Sequence, residues 1–271
     1  MSNPKNHFIH TGNLVQAGRI FYGIAMAAMG IQMIFLKDFP YMLIPPNHVW
    51  IPHVVVFAEI AATLLILAGT CIVFDLKGRP ISLLLGLFLF LIFCFYYIPY
   101  EFISTSEYMH FGEWENAAKE LALSGGAWVI AGSFPPKNEG PFFKHWSRLI
   151  PFGRLLFSIT IISFAVNHFL YAKDAADYIP SWIPFHMFWI YFAGVALMAS
   201  GMAMLLNIKL KLSATLLGTM IFIWFIILHI PKAIAAPNAD MDGEVTSAFL
   251  ALAYSGTAFA TTGISKKTIL R

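Results

Sequence analysis

Few residues of this chain are suited to chemistry, and four of them stand within or at the end of long apolar runs: Glu59, Asn167, His168 and His229. Glu59 lies about five residues into the run that begins at 54, roughly 8 Å along a helix. Thr63 and Thr70 follow it at i+4 and i+11, a polar stripe on one helical face. An ionised carboxylate at that depth in a bilayer is expensive, so such an acid is a functional candidate. The structural alternative is a protonated Glu hydrogen-bonded to a neighbouring helix. Asn167 and His168 end the fifth run, with Ser163 and Thr160 on the face below Asn167, and His229 ends the seventh run beside Pro231. Two histidines, an amide and a carboxylate at one depth could form a shared polar pocket that hydrogen-bonds a small ligand and relays protons. No two of Glu59, His168 and His229 are spaced i, i+3 or i+4 on one helix, so no metal or haem site is assigned. His48, His53, His110 and His186 on one side, and His7, His10 and His145 on the other, form no pattern, and solvation accounts for them.

The elements that must position these residues follow from composition. The 271 residues are 59% apolar and 11% charged, with a mean hydropathy of +0.72. Soluble domains carry about 25% charged residues, so the chain is read as an integral membrane protein. Apolar runs at 18–36, 54–74, 81–99, 117–133, 153–172, 185–206, 212–230 and 246–263 predict eight transmembrane helices. Backbone groups in lipid must be satisfied internally, and continuous rather than alternating hydrophobicity excludes a β-barrel. All but four of the 17 Lys and Arg (Lys37, Lys119, Lys173 and Lys232) fall at the termini and in the even-numbered loops. That asymmetry puts both termini in the cytoplasm and the chain in the cytoplasmic (inner) membrane. The first seventeen residues are polar and lack the apolar core of a cleavable signal, so insertion is expected to begin with the first spanning helix. Cys71 and Cys94 lie at different depths, about 15 Å apart along antiparallel helices, and read as buried inert thiols. The net charge of +3 is too weak and too dispersed for nucleic acid. The expected partners are lipid, membrane or extracytoplasmic proteins, and small hydrophobic molecules.

The chain is also written twice. Gly18-Arg19 matches Gly153-Arg154, Lys37-Asp38 matches Lys173-Asp174, and Ile44-Pro45 and Ile51-Pro52 match Ile179-Pro180 and Ile183-Pro184. Gly86 matches Gly218, Ile98-Pro99 matches Ile230-Pro231, and Ser124-Gly125 matches Ser255-Gly256. The offset drifts only from 136 to 131 residues. Four helices per copy make a parallel repeat about an axis along the membrane normal. The expected organisation is a cytoplasmic N-terminal segment (1–17), a four-helix-bundle repeat (18–133), a cytoplasmic linker (134–152), a second four-helix-bundle repeat (153–263) and a cytoplasmic tail (264–271). The long outer loop after the first helix of each copy holds the duplicated Ile-Pro passages.

Several of these passages resemble the DoxX family of small membrane proteins built as a four-helix unit. "VNHFLYAKD" is similar to its histidine near the end of the first helix, and "FAEIAATLLILAGTCIVFDLKGR" to its second helix with an early acid and a glycine before a basic turn. "LHIP" resembles its third-helix ending and "WENAAKELALSGGAWVIAG" its fourth helix. The copies are unequal: Glu59 fits the acidic position only in the first, while His168 and His229 fit the histidine positions only in the second, where the first has Met33 and Tyr97. Either both halves contribute to one composite site or each copy has decayed. The resemblance implies a membrane subunit of a quinone- or thiol-linked redox system. Two alternatives stand beside it. One is a non-catalytic scaffold or receptor that docks a partner on an acidic outer face bearing Glu101, Glu107, Glu113, Glu115 and Glu120. The other is a small-molecule transporter, disfavoured because Glu59 lies near the outer boundary rather than the midplane.

Overall fold

The computed structural model describes residues 4–41, 43–45, 51–103, 109–112, 114–136, 140–236 and 243–264, with backbone alone at 4–11. All regular structure among them is helical. α1 (Pro4–Leu36) and α2 (Val54–Val73) precede α3 (Gly78–Ile92), which a π-helical turn (Phe93–Tyr97) joins to the short α4 (Ile98–Ile103). After α5 (Glu115–Ser133), α6 (Pro141–Trp146) and a 3₁₀ turn (Ser147–Leu149) lead into α7 (Ile150–Leu170). Then come α8 (Ala172–Asp177), α9 (His186–Leu205), α10 (Leu210–Trp224), a second π-helical turn (Phe225–His229), α11 (Ile230–Ala235) and α12 (Glu244–Thr261). The first helix therefore starts well before 18, because polar residues such as Asn13 and Gln16 continue it past the apolar run. The segment 134–152 is partly helical rather than a plain linker, and Pro151 sits in the first turn of α7, where a missing N–H is harmless. Residues 1–3, 137–139 and 265–271 of the expected N-terminal segment, linker and tail lie outside the described residues.

Six stretches are long and apolar enough to cross a membrane: Gly12–Leu36, Val54–Val73, Gly78–Ile103, Pro141–Leu170, His186–Leu205 and Leu210–Ala235. α5 and α12 fall short on composition, and packing supplies the reason. Twelve residues of α5 and fourteen of α12 are buried, and neither helix contributes an exposed large apolar side chain among the described residues. The other long helices expose many, among them Leu67, Val195 and Leu216, each more than half accessible. A helix enclosed by helices meets no lipid; what it needs is close approach, which Gly, Ala, Ser and Thr allow.

The helices do not segregate into two self-contained bundles. α1 packs mainly on α2 and α12, and α7 mainly on α9 and α5, while α3 lies on α5, α10 on α12, and α5 touches α12. One apolar core runs through both halves, from Tyr22 and Leu65 to Phe157 and Leu252. The expectation of separate bundles is thus corrected: the first helix of each half packs against the last helix of the other. Glycine makes both crossings possible. A Cβ at Gly18 would lie 2.5 Å from the Gly256 carbonyl oxygen, and one at Gly153 would lie 2.7 Å from that of Gly125. Beside these, the Ser124 hydroxyl donates to the Gly86 carbonyl at 2.8 Å and that of Ser255 to the Gly218 carbonyl at 2.9 Å. At the α5–α12 contact Gly126 faces Thr257.

Local sequence sets the ends of these helices. Asp75 and Asn207 take positive φ (51° and 57°) at the ends of α2 and α9. The N–H of Leu76 then reaches the Cys71 carbonyl at 2.9 Å and that of Ile208 the Ala203 carbonyl at 2.8 Å, the pattern of a Schellman cap. Short polar Asp and Asn tolerate the left-handed region better than most residues. In both π-helical turns a proline follows two residues on, Pro99 and Pro231, and the i→i−5 bonds Ile98 N–H to Phe93 O and Ile230 N–H to Phe225 O replace the regular ladder. At the C-terminal end of α5, Arg19 donates to the Ser133 hydroxyl at 2.9 Å and to its carbonyl, and Arg79 to the Ala131 and Phe134 carbonyls at 3.3 and 3.4 Å. These cations satisfy carbonyls at the negative end of the helix dipole.

Candidate functional site

At the other end of α5, three charged residues stand in its first two turns. Glu115 pairs with Lys119 at 2.9 Å, the favourable i, i+4 order, and Lys119 also donates to Asn116 Oδ1 at 3.0 Å. The last turn of α7 brings Asn167 to this pair, its Nδ2 donating to Glu115 Oε2 at a long 3.4 Å. Asn167 Oδ1 is buried with no partner among the described residues. The second π-helical turn ends on His229, whose Nδ1 is likewise buried and unpartnered and which lies within electrostatic reach of Lys119 and Lys232. Lys232 of α11 sits 3.7 Å from Glu244 Oε1 in the first turn of α12 and 3.5 Å over the Tyr178 ring, leaving Glu244 Oε2 buried and unpartnered. Tyr254 of α12 closes the layer from below. Its hydroxyl donates to the Lys119 carbonyl at 3.0 Å, and its ring packs against Phe157 and Phe164. The cluster is composite: α5 comes from the first half of the chain, and α7, α11 and α12 from the second.

One turn deeper is Glu120. It is fully buried, and among the described residues neither carboxylate oxygen has a hydrogen-bond partner. The phenols of Tyr22 and Tyr254 are its electrostatic neighbours, and the Tyr22 hydroxyl donates to the Leu123 carbonyl at 2.7 Å rather than to Glu120. Buried polar groups are nearly always bonded, so a bare carboxyl at the centre of the protein requires a reason.

The sequence-derived candidates divide. Asn167 joins this cluster through Glu115, and His229 lies within electrostatic reach of its Lys119 and Lys232. His168 does not: its Nδ1 lies 2.8 Å from the Phe164 carbonyl and its Cβ packs against Gly194 of α9. Glu59 stands apart altogether, exposed on the outer face of α2 with Thr63 and Thr70. The Thr63 hydroxyl donates to the Glu59 carbonyl at 2.8 Å. α2 instead buries Ala58, Ala61, Ala62, Leu65 and Gly69 against α1. Depth along the helix placed Glu59 correctly, but its direction was set by that small-residue stripe, which the sequence already contained. Glu115, Lys119, Glu120, Lys232, Glu244 and Tyr254 escaped sequence reasoning because the acids read as a solvated outer loop. The usable signal was Lys119 and Lys232, two of the four basic residues on the acidic side. Of the acidic outer face, Glu101 and Glu120 are buried and Glu115 is paired, while Glu107 and Glu113, like His48, lie outside the described residues. Among the described residues, no three His, Cys, Asp or Glu converge as metal ligands.

A second polar layer, on α1, α12 and the first π-helical turn, is of a different kind. Gln32 of α1 and Thr246 of α12 bond each other at 2.8 and 3.1 Å, and the Tyr97 hydroxyl donates to the Tyr41 carbonyl at 2.5 Å. Met33, at the place of His168, is fully buried. No family model matches the chain, and no curated protein or solved structure is similar to it, so the DoxX resemblance rests on the motifs quoted above.

Proposed function

We propose that this chain is a DoxX-like polytopic membrane protein that binds a quinone head group in the layer of Asn167, His229, Glu115, Lys119 and Glu244. In this reading it is the membrane subunit of a quinone- or thiol-linked redox system. The observation that carries the proposal is the gathering of buried polar atoms without a partner among the described residues on three elements: Asn167 Oδ1, His229 Nδ1 and Glu244 Oε2. A ligand bearing hydroxyl or carbonyl oxygens on a ring complements such a set. Quinol hydroxyls would donate to the bare acceptors, and quinone carbonyls would accept from Lys119, Asn167 or imidazole N–H groups. All eight long helices cross the membrane in this reading, with α5 and α12 as the enclosed pair. They form two parallel repeats, 18–133 and 153–263, that exchange their first helices. The matched Schellman caps, π-helical turns, glycine crossings and serine bonds support the repeat. The excess of Lys and Arg at the termini and even-numbered loops supports cytoplasmic termini and the inner membrane. Docking on an acidic outer face has less behind it, since three of its five carboxylates are buried or paired.

The test is a titration of the full-length protein in lipid nanodiscs with decylubiquinone, read by tryptophan fluorescence quenching. Saturable quenching is expected for wild type, and at least about tenfold weaker binding, 1.4 kcal/mol or more, for Asn167→Leu and His229→Leu. Quenching that rises without saturating in wild type would end the quinone reading.

A further inference from the structure

We infer that Glu120 is a proton-exchanging site that serves the ligand layer above it. The inference rests on the proposed quinone reading for its ligand, but its geometric basis is separate. Glu120 is wholly buried among α1, α5 and α12, and neither of its oxygens is hydrogen-bonded. An apolar side chain of similar volume would fill that place without the desolvation penalty. A carboxyl retained for packing specificity would be expected to bond a neighbour, yet the two phenols within its electrostatic reach bond elsewhere: Tyr22 donates to Leu123 O and Tyr254 to Lys119 O. Both of those carbonyls belong to α5 residues within one turn of Glu120. The phenols are therefore held beside the carboxyl without using it up.

The surroundings give it one direction in which to exchange. Toward the outer end of α5 lie Glu115 and Lys119 on the same helix, with His229 and Lys232 across from them. Glu115 is five residues, about 7.5 Å of helix, from Glu120. At its own level the titratable neighbours are Tyr22 and Tyr254. Toward the other end, Arg19 and Arg79 are committed to the C-terminal carbonyls of α5, and Ala122, Leu123 and Ala127 intervene as packed apolar side chains. His168 of α7 is turned to α9. The step is acid–base only: an O–H bond breaks on the ligand oxygen or on Glu120 as one forms on the other, and no electrons move in it. Because Glu120 lies below the layer that holds the ligand, the exchange runs through the Tyr254 phenol, which lies within electrostatic reach of both Glu115 and Glu120: its oxygen gains a proton from one side as its own O–H proton leaves to the other.

Infrared difference spectra of the full-length protein in nanodiscs, with and without decylubiquinone and in H2O and D2O, test this. Tryptophan quenching in the same samples reports binding. The expected result is a ligand-induced carboxyl band that shifts in D2O, disappears in Glu120→Gln and is displaced in Glu120→Asp, with quinone still bound by both variants. Should Glu120→Gln fail to fold, the displacement in Glu120→Asp carries the assignment. Wild type that binds decylubiquinone but gives a spectrum superposable on that of Glu120→Gln or Glu120→Asp would overturn the inference. If wild type binds no decylubiquinone, the quinone reading fails by itself. Glu120 is then judged on the ligand-free protein: a carboxyl band that shifts in D2O and is lost or displaced in the variants supports proton exchange, and an unshifted band overturns it.

Discussion

Two polar layers of the molecule, one where α1 meets α12 and one where α5 meets α7, are filled differently. On one side Gln32 and Thr246 bond each other, Tyr97 is tied to the Tyr41 carbonyl, and Met33 is fully buried. At the corresponding positions on the other side stand Asn167, Glu115, His229 and His168. There the Asn167–Glu115 contact is long, and Asn167 Oδ1 and His229 Nδ1 have no partner. Both layers crown a crossing of close-approaching glycines, Gly18 with Gly256 and Gly153 with Gly125. A frame that closes with neutral, mutually satisfied groups does not need charge or bare acceptors for stability. The charged layer is therefore the one to connect with a ligand, and the neutral layer serves as its internal control.

The largest expected effect is on the shared frame. Gly18→Val and Gly153→Val each drive a side chain into a facing backbone. Each should lower stability by about 3 kcal/mol, the upper end for overpacking, as read by thermal unfolding in detergent. A well-tolerated change on one side alone would break the equivalence of the two crossings. Next come the layers themselves. The pair Asn167→Leu/His229→Leu should remove decylubiquinone binding with little loss of stability, since it deletes two unpartnered acceptors and only one long hydrogen bond, Asn167 Nδ2 to Glu115 at 3.4 Å. The pair Gln32→Leu/Tyr97→Phe should do the reverse, keeping binding while costing about 1–2 kcal/mol. Loss of binding in both pairs would mean that the difference between the layers is not functional. Smaller and symmetric effects are expected from Ser124→Ala and Ser255→Ala, about 1 kcal/mol each for one buried hydrogen bond. Glu59→Leu should change neither binding nor stability, the latter by no more than about 0.5 kcal/mol. A marked loss in that variant would connect the exposed stripe of Glu59, Thr63 and Thr70 with the site or with a membrane partner.

How much of this was legible in the sequence depends on the kind of constraint. Helical class and the six most apolar spans follow from hydropathy, because lipid permits only helices for such runs. α5 and α12 were recognised as helices, but their role was not: their Gly, Ala, Ser and Thr content marks enclosure by neighbours, which hydropathy does not distinguish from weak membrane character. The packing of α1 on α12 and of α7 on α5 was invisible, since a hydropathy pattern marks a buried face but not which helix covers it. Within the site, Asn167 and His229 were found because polar residues at the ends of apolar runs stand out. Glu59 misled for the same reason, its depth being readable while the direction it faces on α2 depends on packing. Glu120 was passed over because its neighbours Glu115 and Lys119 made the start of α5 look like a solvated loop, although the apolar run begins at 117. Lys119 and Lys232, cations on the side poor in them, were the overlooked pointers.

The most direct test of the central claim, that the charged layer and not its neutral counterpart holds a quinone, is the quinone content of purified protein. Wild type, Asn167→Leu/His229→Leu and Gln32→Leu/Tyr97→Phe would be extracted from the producing membranes in mild detergent and their lipids resolved by HPLC, beside an unrelated membrane protein of similar size. The account predicts near-stoichiometric quinone in wild type and in the neutral-layer variant, and control levels in the charged-layer variant. Equal quinone in all three, or control levels in wild type, would contradict it.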